Sequence, residues 1–296
     1  MIFYSLLSFA CWGIADLFYK IGNNNEKDKY SHLKTGVIVG YVMGLHATFY
    51  MITNNLDINF MDMLKYLPVS LCYIASMVIG YKGLKYIELS ISSPIQNTSG
   101  VITAILLILF FKESYELPAY IGILLVFIGI LIISIKEYKE NRNFDLKVYK
   151  KKITLLAIIL PLMYCILDGL GTFLDGIYLD KMELISEDSA LLSYEYTFFI
   201  YGIINYIYLS FKADKLIIKE DASKTIAAIL ETAGQFFYVF AMADDSVIGA
   251  TVIGSYFILS LLLSRIFLKE KINKLQYLAL FLIFFSIIML AILEEA

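Results

Sequence analysis

The chain has 296 residues, of which 59% are hydrophobic and only 17% are charged, and its net charge is −3. In a soluble globular protein about a quarter of the residues are charged. The composition therefore excludes an ordinary soluble domain, and because the apolar residues recur in long blocks, it predicts a polytopic membrane protein.

Ten apolar blocks follow one another along the chain. A helix needs roughly 20 residues to cross the bilayer core, whereas transmembrane strands are about half as long and alternate in polarity. We therefore predict an all-α protein with spans at 3–21, 33–53, 65–86, 90–111, 117–135, 153–177, 188–210, 224–243, 246–267 and 274–293. No Lys or Arg precedes the first block, so we do not expect a cleaved signal peptide.

The connections are short except for the charged segment 136–152. It divides the chain into a first five-helix repeat, 1–135, and a second, 153–296. Of the 24 Lys and Arg residues, all but Lys65, Lys112 and Lys181 follow the odd-numbered spans. Because cytoplasmic loops gather Lys and Arg, the linker is predicted to be cytoplasmic and both termini extracytoplasmic.

Two similar stretches indicate an internal repeat. ILFFKE at 108–113 and RIFLKE at 265–270 each end a long apolar block, and a shift of 157 residues superposes them. With five spans in each half, the second copy must enter the membrane upside down. Inverted repeats are typical of transporters whose substrate site lies near mid-membrane between the halves.

These features resemble the EamA-type ten-helix permeases of the drug/metabolite transporter superfamily. The resemblance rests on Trp12-Gly13, the stretch Tyr81–Tyr86, Pro94 and the two Lys-Glu hairpins, and it covers essentially the whole chain. It implies a secondary transporter that works by alternating access, with a cavity lined by both halves. Family members are usually drawn with cytoplasmic termini, the reverse of what the charges predict here.

Five carboxylates lie inside the predicted spans: Asp16, Asp168, Asp175, Glu195 and Glu231. A carboxylate within a membrane is costly and usually faces a cavity. No Lys or Arg lies near the centre of any span, so these acids lack a basic partner within the spans. This pattern predicts that a cation from outside binds beside them. Asp175 lies near the far end of its span, where we expect it to be solvated.

Aromatic residues accompany these acids at helical spacing. Trp12 lies four residues before Asp16, and Tyr164 lies four before Asp168, so each pair shares a helix face. Aromatic rings attract cations by about 0.5–2 kcal/mol. The predicted substrate-binding residues are Trp12, Asp16, Tyr164, Asp168, Glu195 and Glu231, and the polar stretch from Ser92 to Ser99 is a second candidate lining.

Structural roles remain open for several of these acids. Asp16 lies near the end of its span and could reach water, and Glu231 could pair with Lys224 two turns earlier. A carboxylate that binds and releases a proton would serve as a coupling site instead of a substrate contact.

Other chemistries lack a motif in this chain. There is no GxxxxGK[ST] phosphate loop, Cys11, Cys72 and Cys165 are isolated, and neither His32 nor His46 has a second His nearby. We therefore expect no enzyme, cofactor or metal. The expected partners are the lipid bilayer and a small molecule, not nucleic acid, with a coupling proton or cation left open.

The leading hypothesis is a secondary transporter of a small cationic or zwitterionic metabolite, such as a choline-like amine or an amino acid. Two alternatives remain: a proton-coupled exporter of amino acids or drugs, and a non-transporting membrane scaffold or receptor subunit.

Overall fold

The computed structural model describes residues 2–23, 28–84, 96, 98–112, 115–141, 151–212, 216, 221–269 and 274–294. Within these ranges the regular structure is helical and no strand occurs. Tyr86, Pro94 and residues 142–150 of the predicted linker lie outside the described residues, as do Ser92 and Ser93.

The helices follow the predicted blocks. Before the linker come α1 (Ile2–Asn23), α2 (Ser31–Thr53), α3 (Phe60–Gly83), α4 (Thr98–Phe111) and α5 (Leu117–Asn141). After it come α6 (Lys151–Asp175), α7 (Glu187–Phe211), α8 (Ala222–Asp244), α9 (Ser246–Ile253), α10 (Phe257–Leu263) and α11 (Lys274–Glu294). A π turn, Gly176–Lys181, extends α6, a 3-10 turn, Gly254–Tyr256, joins α9 to α10, and a second π turn, Ser264–Leu268, follows α10.

Six described segments are long and apolar enough to cross a membrane: α1, α2, α3, Ile159–Lys181, α8 and Ser246–Leu268. Shorter apolar helices lie in α4, α5 and α11. These segments confirm the prediction of an all-helical membrane protein, while the count of ten spans stays a prediction.

Helix boundaries differ from the apolar blocks where polar groups cap or extend a helix. The third helix begins at Phe60, not at residue 65, because the side chain of Asn59 accepts a hydrogen bond from the Met61 amide at 3.0 Å. Helix α5 continues to Asn141, and so enters the segment predicted as linker. Hydropathy indicates the apolar part of a helix, whereas a capping side chain determines the residue at which the helix begins.

Helices from the two parts of the chain pack against each other in pairs. The most extensive contacts are those of α1 with α8, α2 with α7, α3 with α6, α5 with α11, α3 with α7 and α2 with α8, and α4 packs against both α6 and α9. The larger buried apolar cluster lies among α1–α3 and α6–α9, and a smaller one lies among α4, α5 and α9–α11. The residues that line the central space therefore come from sequence positions far apart.

Glycine allows two of these pairs to approach closely. A Cβ on Gly40 of α2 would lie 2.4 Å from the Phe198 carbonyl oxygen of α7, beside Gly202. A Cβ on Gly100 of α4 would lie 2.5 Å from the Ala250 carbonyl oxygen of α9. Small residues are the usual means of close helix contact in membranes.

Candidate functional site: a central acidic and aromatic cavity

A cavity of about 70 Å³ lies between α1, α3, α4 and α6–α9. Five of the six predicted site residues line it: Trp12, Asp16, Tyr164, Asp168 and Glu231. They come from α1, α6 and α8, so the fold brings together side chains that are up to 219 positions apart in the chain. Glu195 does not line the cavity.

Asp168 lies in the middle part of α6 and presents its carboxylate to the cavity. Ser99 Oγ donates a hydrogen bond to Asp168 Oδ2 at 2.6 Å. Tyr164, one turn earlier, also lines the cavity, as the four-residue spacing predicted. In the part of the chain that the structure describes, no Lys, Arg or His bonds to this carboxylate.

Asp16 occupies the corresponding place on α1. Ser260 Oγ donates to Asp16 Oδ2 at 2.8 Å, so each aspartate of the predicted pair has a serine donor from another helix. Trp12 donates its indole N–H to the backbone oxygen of Glu231 at 3.2 Å. This bond fixes the indole against α8 and leaves its ring at the cavity wall.

Glu231 is almost fully buried in α8, at 6% exposure, and it lines the cavity. Its proposed structural partner, Lys224, instead donates to Asp221 Oδ1 at 2.6 Å. Among the described residues no basic side chain bonds to Glu231. A carboxylate in this position has acceptor capacity that the protein does not fill with a cation.

Two side-chain amide nitrogens in the cavity wall also lack a hydrogen-bond partner among the described residues. Gln96 Nε2 and Gln235 Nε2 are buried and make no hydrogen bond with the described residues. An unsatisfied buried donor typically costs about 1–3 kcal/mol. The cavity therefore offers donors as well as acceptors. Gln96 and Ser99 belong to the polar stretch predicted as lining.

Aromatic rings make up much of the remaining wall. The Trp12 ring lies 5.2 Å from the Tyr238 ring and 5.8 Å from the Tyr256 ring, measured between centroids. The other lining tyrosines are Tyr19, Tyr73, Tyr81, Tyr164 and Tyr194. Sequence reasoning missed most of these because tyrosines are frequent in this chain. Only Tyr164 was among the predicted site residues, although Tyr19 lies three residues after Asp16 and Tyr238 seven residues after Glu231, which are also helical spacings.

Glu195 points away from the cavity. It is fully buried, and both of its carboxylate oxygens lie 2.8 Å from His46 Nδ1 of α2. The neighbouring Tyr194 takes the cavity-facing position, since successive residues of a helix point about 100° apart. The expectation that the interior acids lack a basic partner in the protein is therefore wrong for Glu195.

Asp175 is also buried, which corrects the expectation that it is solvated. Its side chain is fully inaccessible and accepts hydrogen bonds from the hydroxyls of Tyr66, Tyr73 and Tyr238. The sequence places Asp175 near the end of its apolar block, which is why we expected it to reach water. In the structure the π turn Gly176–Lys181 continues the helix past Asp175.

Comparisons with known proteins agree with this architecture. The model of the EamA-like transporter family matches residues 1–135. The match confirms the resemblance to EamA-type transporters over these residues, which are slightly less than half of the chain. A solved structure, described only as a crystal structure of a protein, aligns with a TM-score of 0.67 at 8% identity and covers 98% of this chain and 96% of that chain. At this identity the likeness shows the fold alone. None of the curated proteins compared with the chain matches it.

Proposed function

We propose that this chain, whose residues 1–135 match the EamA-like transporter family, is a secondary transporter that moves a small cationic or zwitterionic metabolite across the cell membrane. The observation that carries the proposal is the pair Asp168 and Glu231, which face one cavity without a basic partner among the described residues. The cargo supplies the missing positive charge.

The cavity wall suits a cargo with a second polar group. An ammonium group fits between the carboxylates and the rings of Trp12 and Tyr164, because aromatic faces and acids both attract cations. The unpartnered amides of Gln96 and Gln235 would donate to a carboxylate or hydroxyl on the same molecule. A choline-like amine and an amino acid both meet these requirements.

The pairing of helices supports an arrangement of ten spans as two inverted repeats, 1–135 and 153–296. Ser246–Leu268 counts here as one span. In two repeats of five spans, each span corresponds to the one five places later, so α1 corresponds to α6 and α3 to α8. Exchanging corresponding spans converts the α1–α8 pair into the α6–α3 pair. The same exchange maps the α2–α7, α4–α9 and α5–α11 pairs onto themselves. A site between such repeats can open alternately to either side.

Two local features obey the same exchange. An aspartate–serine hydrogen bond joins the corresponding spans in each half, Asp16–Ser260 and Asp168–Ser99, although the 157-residue shift superposes Ser260 on Thr103 and not on Ser99. Lys112 and Lys269, which the sequence repeat superposes, both have left-handed backbones after an apolar helix, with φ of 55° and 59°. The distribution of Lys and Arg favours a cytoplasmic linker and extracytoplasmic termini in this arrangement.

The membrane potential alone can drive uptake of a cation. A potential of 100 mV contributes about 2.3 kcal/mol per elementary charge, which corresponds to roughly fifty-fold accumulation of a monocation. A coupling ion is therefore needed only for a zwitterion or for export.

The proposal is tested with purified protein in liposomes. A thermal-shift panel of amines, amino acids and nucleosides identifies a stabilising compound, and its uptake is then measured in wild type and in Asp168→Asn. We expect uptake by Asp168→Asn to fall at least tenfold. The matched control is Glu195→Gln, which neutralises an acid outside the cavity and should keep its uptake per folded molecule.

Unchanged uptake by Asp168→Asn would remove this residue from the substrate site. A wild-type protein that binds and transports no compound of the panel would favour the scaffold alternative.

A further inference from the structure

A second carboxylate site lies behind the cavity, two turns after Asp168 on α6. We propose that Asp175 binds a proton and exchanges it with the cavity through the hydroxyls of Tyr73 and Tyr238, so that cargo movement is coupled to a proton. This inference rests on the proposed transport function and adds to it a site distinct from the cargo site.

The geometry of Asp175 forms a hydroxyl cage. Tyr66 donates to Oδ1, and Tyr73 and Tyr238 donate to Oδ2 at 2.9 and 3.0 Å. The Tyr73 and Tyr238 oxygens lie 2.7 Å apart, and Tyr73 also lies 3.1 Å from Thr172 Oγ1. The hydroxyls therefore form one connected network around a side chain that has no access to solvent of its own.

The network reaches the cavity on one side only. Tyr73, Tyr238 and Thr172 line the cavity, whereas Asp175 and Tyr66 do not. A proton that enters from the cavity binds the oxygen of Tyr238 while the hydroxyl proton of Tyr238 passes to Asp175 Oδ2. Only O–H bonds form and break, the tyrosine ends neutral, and the carboxylate charge changes from −1 to zero.

The described groups that face Asp175 are hydroxyls, a thiol and another acid, so a bound proton would neutralise its charge. Helix α3 presents Tyr66, Tyr73 and Cys72, α7 presents Tyr194, and α8 presents Tyr238. Asp168, two turns earlier on the same helix, adds a like charge. No described Lys, Arg or His bonds to Asp175. The carboxylate accepts three hydroxyl hydrogen bonds, and a proton is small enough to bind it without displacing them.

Cargo and proton sites share a wall, which provides the coupling. The Tyr238 ring lies 5.2 Å from the Trp12 ring, and Tyr73 and Tyr238 contact each other as well as Asp175. A cation seated on Trp12 is adjacent to the ring that carries the relay hydroxyl. Binding of cargo therefore changes the surroundings of the hydroxyl that passes the proton to Asp175.

The test uses liposomes with an entrapped pH-sensitive dye and the membrane potential clamped to zero. The probes are choline, glycine betaine and L-lysine, of which the first two cannot release a proton from nitrogen. We expect the wild type to move protons with the transported probe and to accumulate it against its gradient when a pH gradient is imposed. In Asp175→Asn, we expect cargo-linked proton flux to fall at least tenfold, while probe binding and exchange at equal concentrations persist.

A second variant keeps the inference testable if Asp175→Asn does not fold. Tyr66→Phe removes a donor on the side away from the cavity, so we expect proton flux to remain and its pH dependence to move to higher pH, because the ionised carboxylate loses one hydrogen bond. Proton flux in Asp175→Asn equal to that of wild type, or an unshifted profile in Tyr66→Phe, overturns the inference. A wild type that transports neither these probes nor any compound of the thermal-shift panel overturns the proposed function instead.

Discussion

Four buried carboxylates of this protein fall into two groups, which differ in whether protein side chains or a bound ligand would compensate for their charge. Asp175 and Glu195 are fully buried, and the protein surrounds them with three tyrosine hydroxyls and with His46. Asp168 and Glu231 face the cavity, and among the described residues neither bonds to a basic group. The first group is satisfied by the fold, and the second has capacity left for a ligand.

This difference has a physical cause. A buried charge is tolerated only if hydrogen bonds or an opposite charge compensate for its lost hydration. Asp175 and Asp168 are seven residues apart on one helix, yet the first meets α3 and α8 tyrosines and the second meets a cavity. Compensation by water and cargo is therefore confined to the cavity acids.

The largest expected effect comes from giving the cavity its own cation. Glu231→Lys would place an ammonium group where the cargo's positive charge belongs, and we expect transport to fall at least a hundredfold. Uptake by liposomes that contain equal amounts of folded protein measures the loss. Glu231→Gln should keep part of the activity, since it removes a charge without adding an opposing one. Wild-type transport by Glu231→Lys would show that the cavity does not hold the cargo.

An intermediate effect is expected at the pair outside the cavity. His46→Leu leaves the carboxylate of Glu195 buried without its partner, which we expect to cost about 1–3 kcal/mol of unfolding free energy. The double variant His46→Leu/Glu195→Leu should recover part of that loss. Thermal unfolding in detergent measures stability, and transport per folded molecule should not change. A large loss of transport at unchanged stability would move this pair into the transport mechanism.

The smallest effect is expected at the serines that orient the two aspartates. Ser99→Ala and Ser260→Ala each remove one hydrogen bond, worth about 0.5–1.5 kcal/mol, so we expect two- to tenfold weaker cargo binding in either variant. Calorimetric titration with the cargo compares the two. Similar losses would agree with pseudo-symmetric arms, and a loss confined to one arm would show that cargo contacts only that aspartate.

Much of the fold could be predicted from the sequence because a bilayer demands long apolar helices. The spans and the central charged segment follow from hydropathy and from the Lys and Arg distribution. The site was predicted in part for the same reason: an acid inside an apolar helix is expensive, so Asp16, Asp168 and Glu231 were identifiable one by one. The position of Trp12 and Tyr164 one turn before an aspartate is a property of the helix alone.

Only the packing of helices decided which acids share a cavity. Glu195 and Glu231 look alike in the sequence, but one meets His46 of α2 and the other meets the cavity wall. The tyrosine cage of Asp175 draws on α3 and α8, which lie 63 to 109 positions away, and no local pattern encodes that meeting. Helical periodicity determines the face on which a side chain lies, whereas the neighbour that it meets depends on contacts between distant segments.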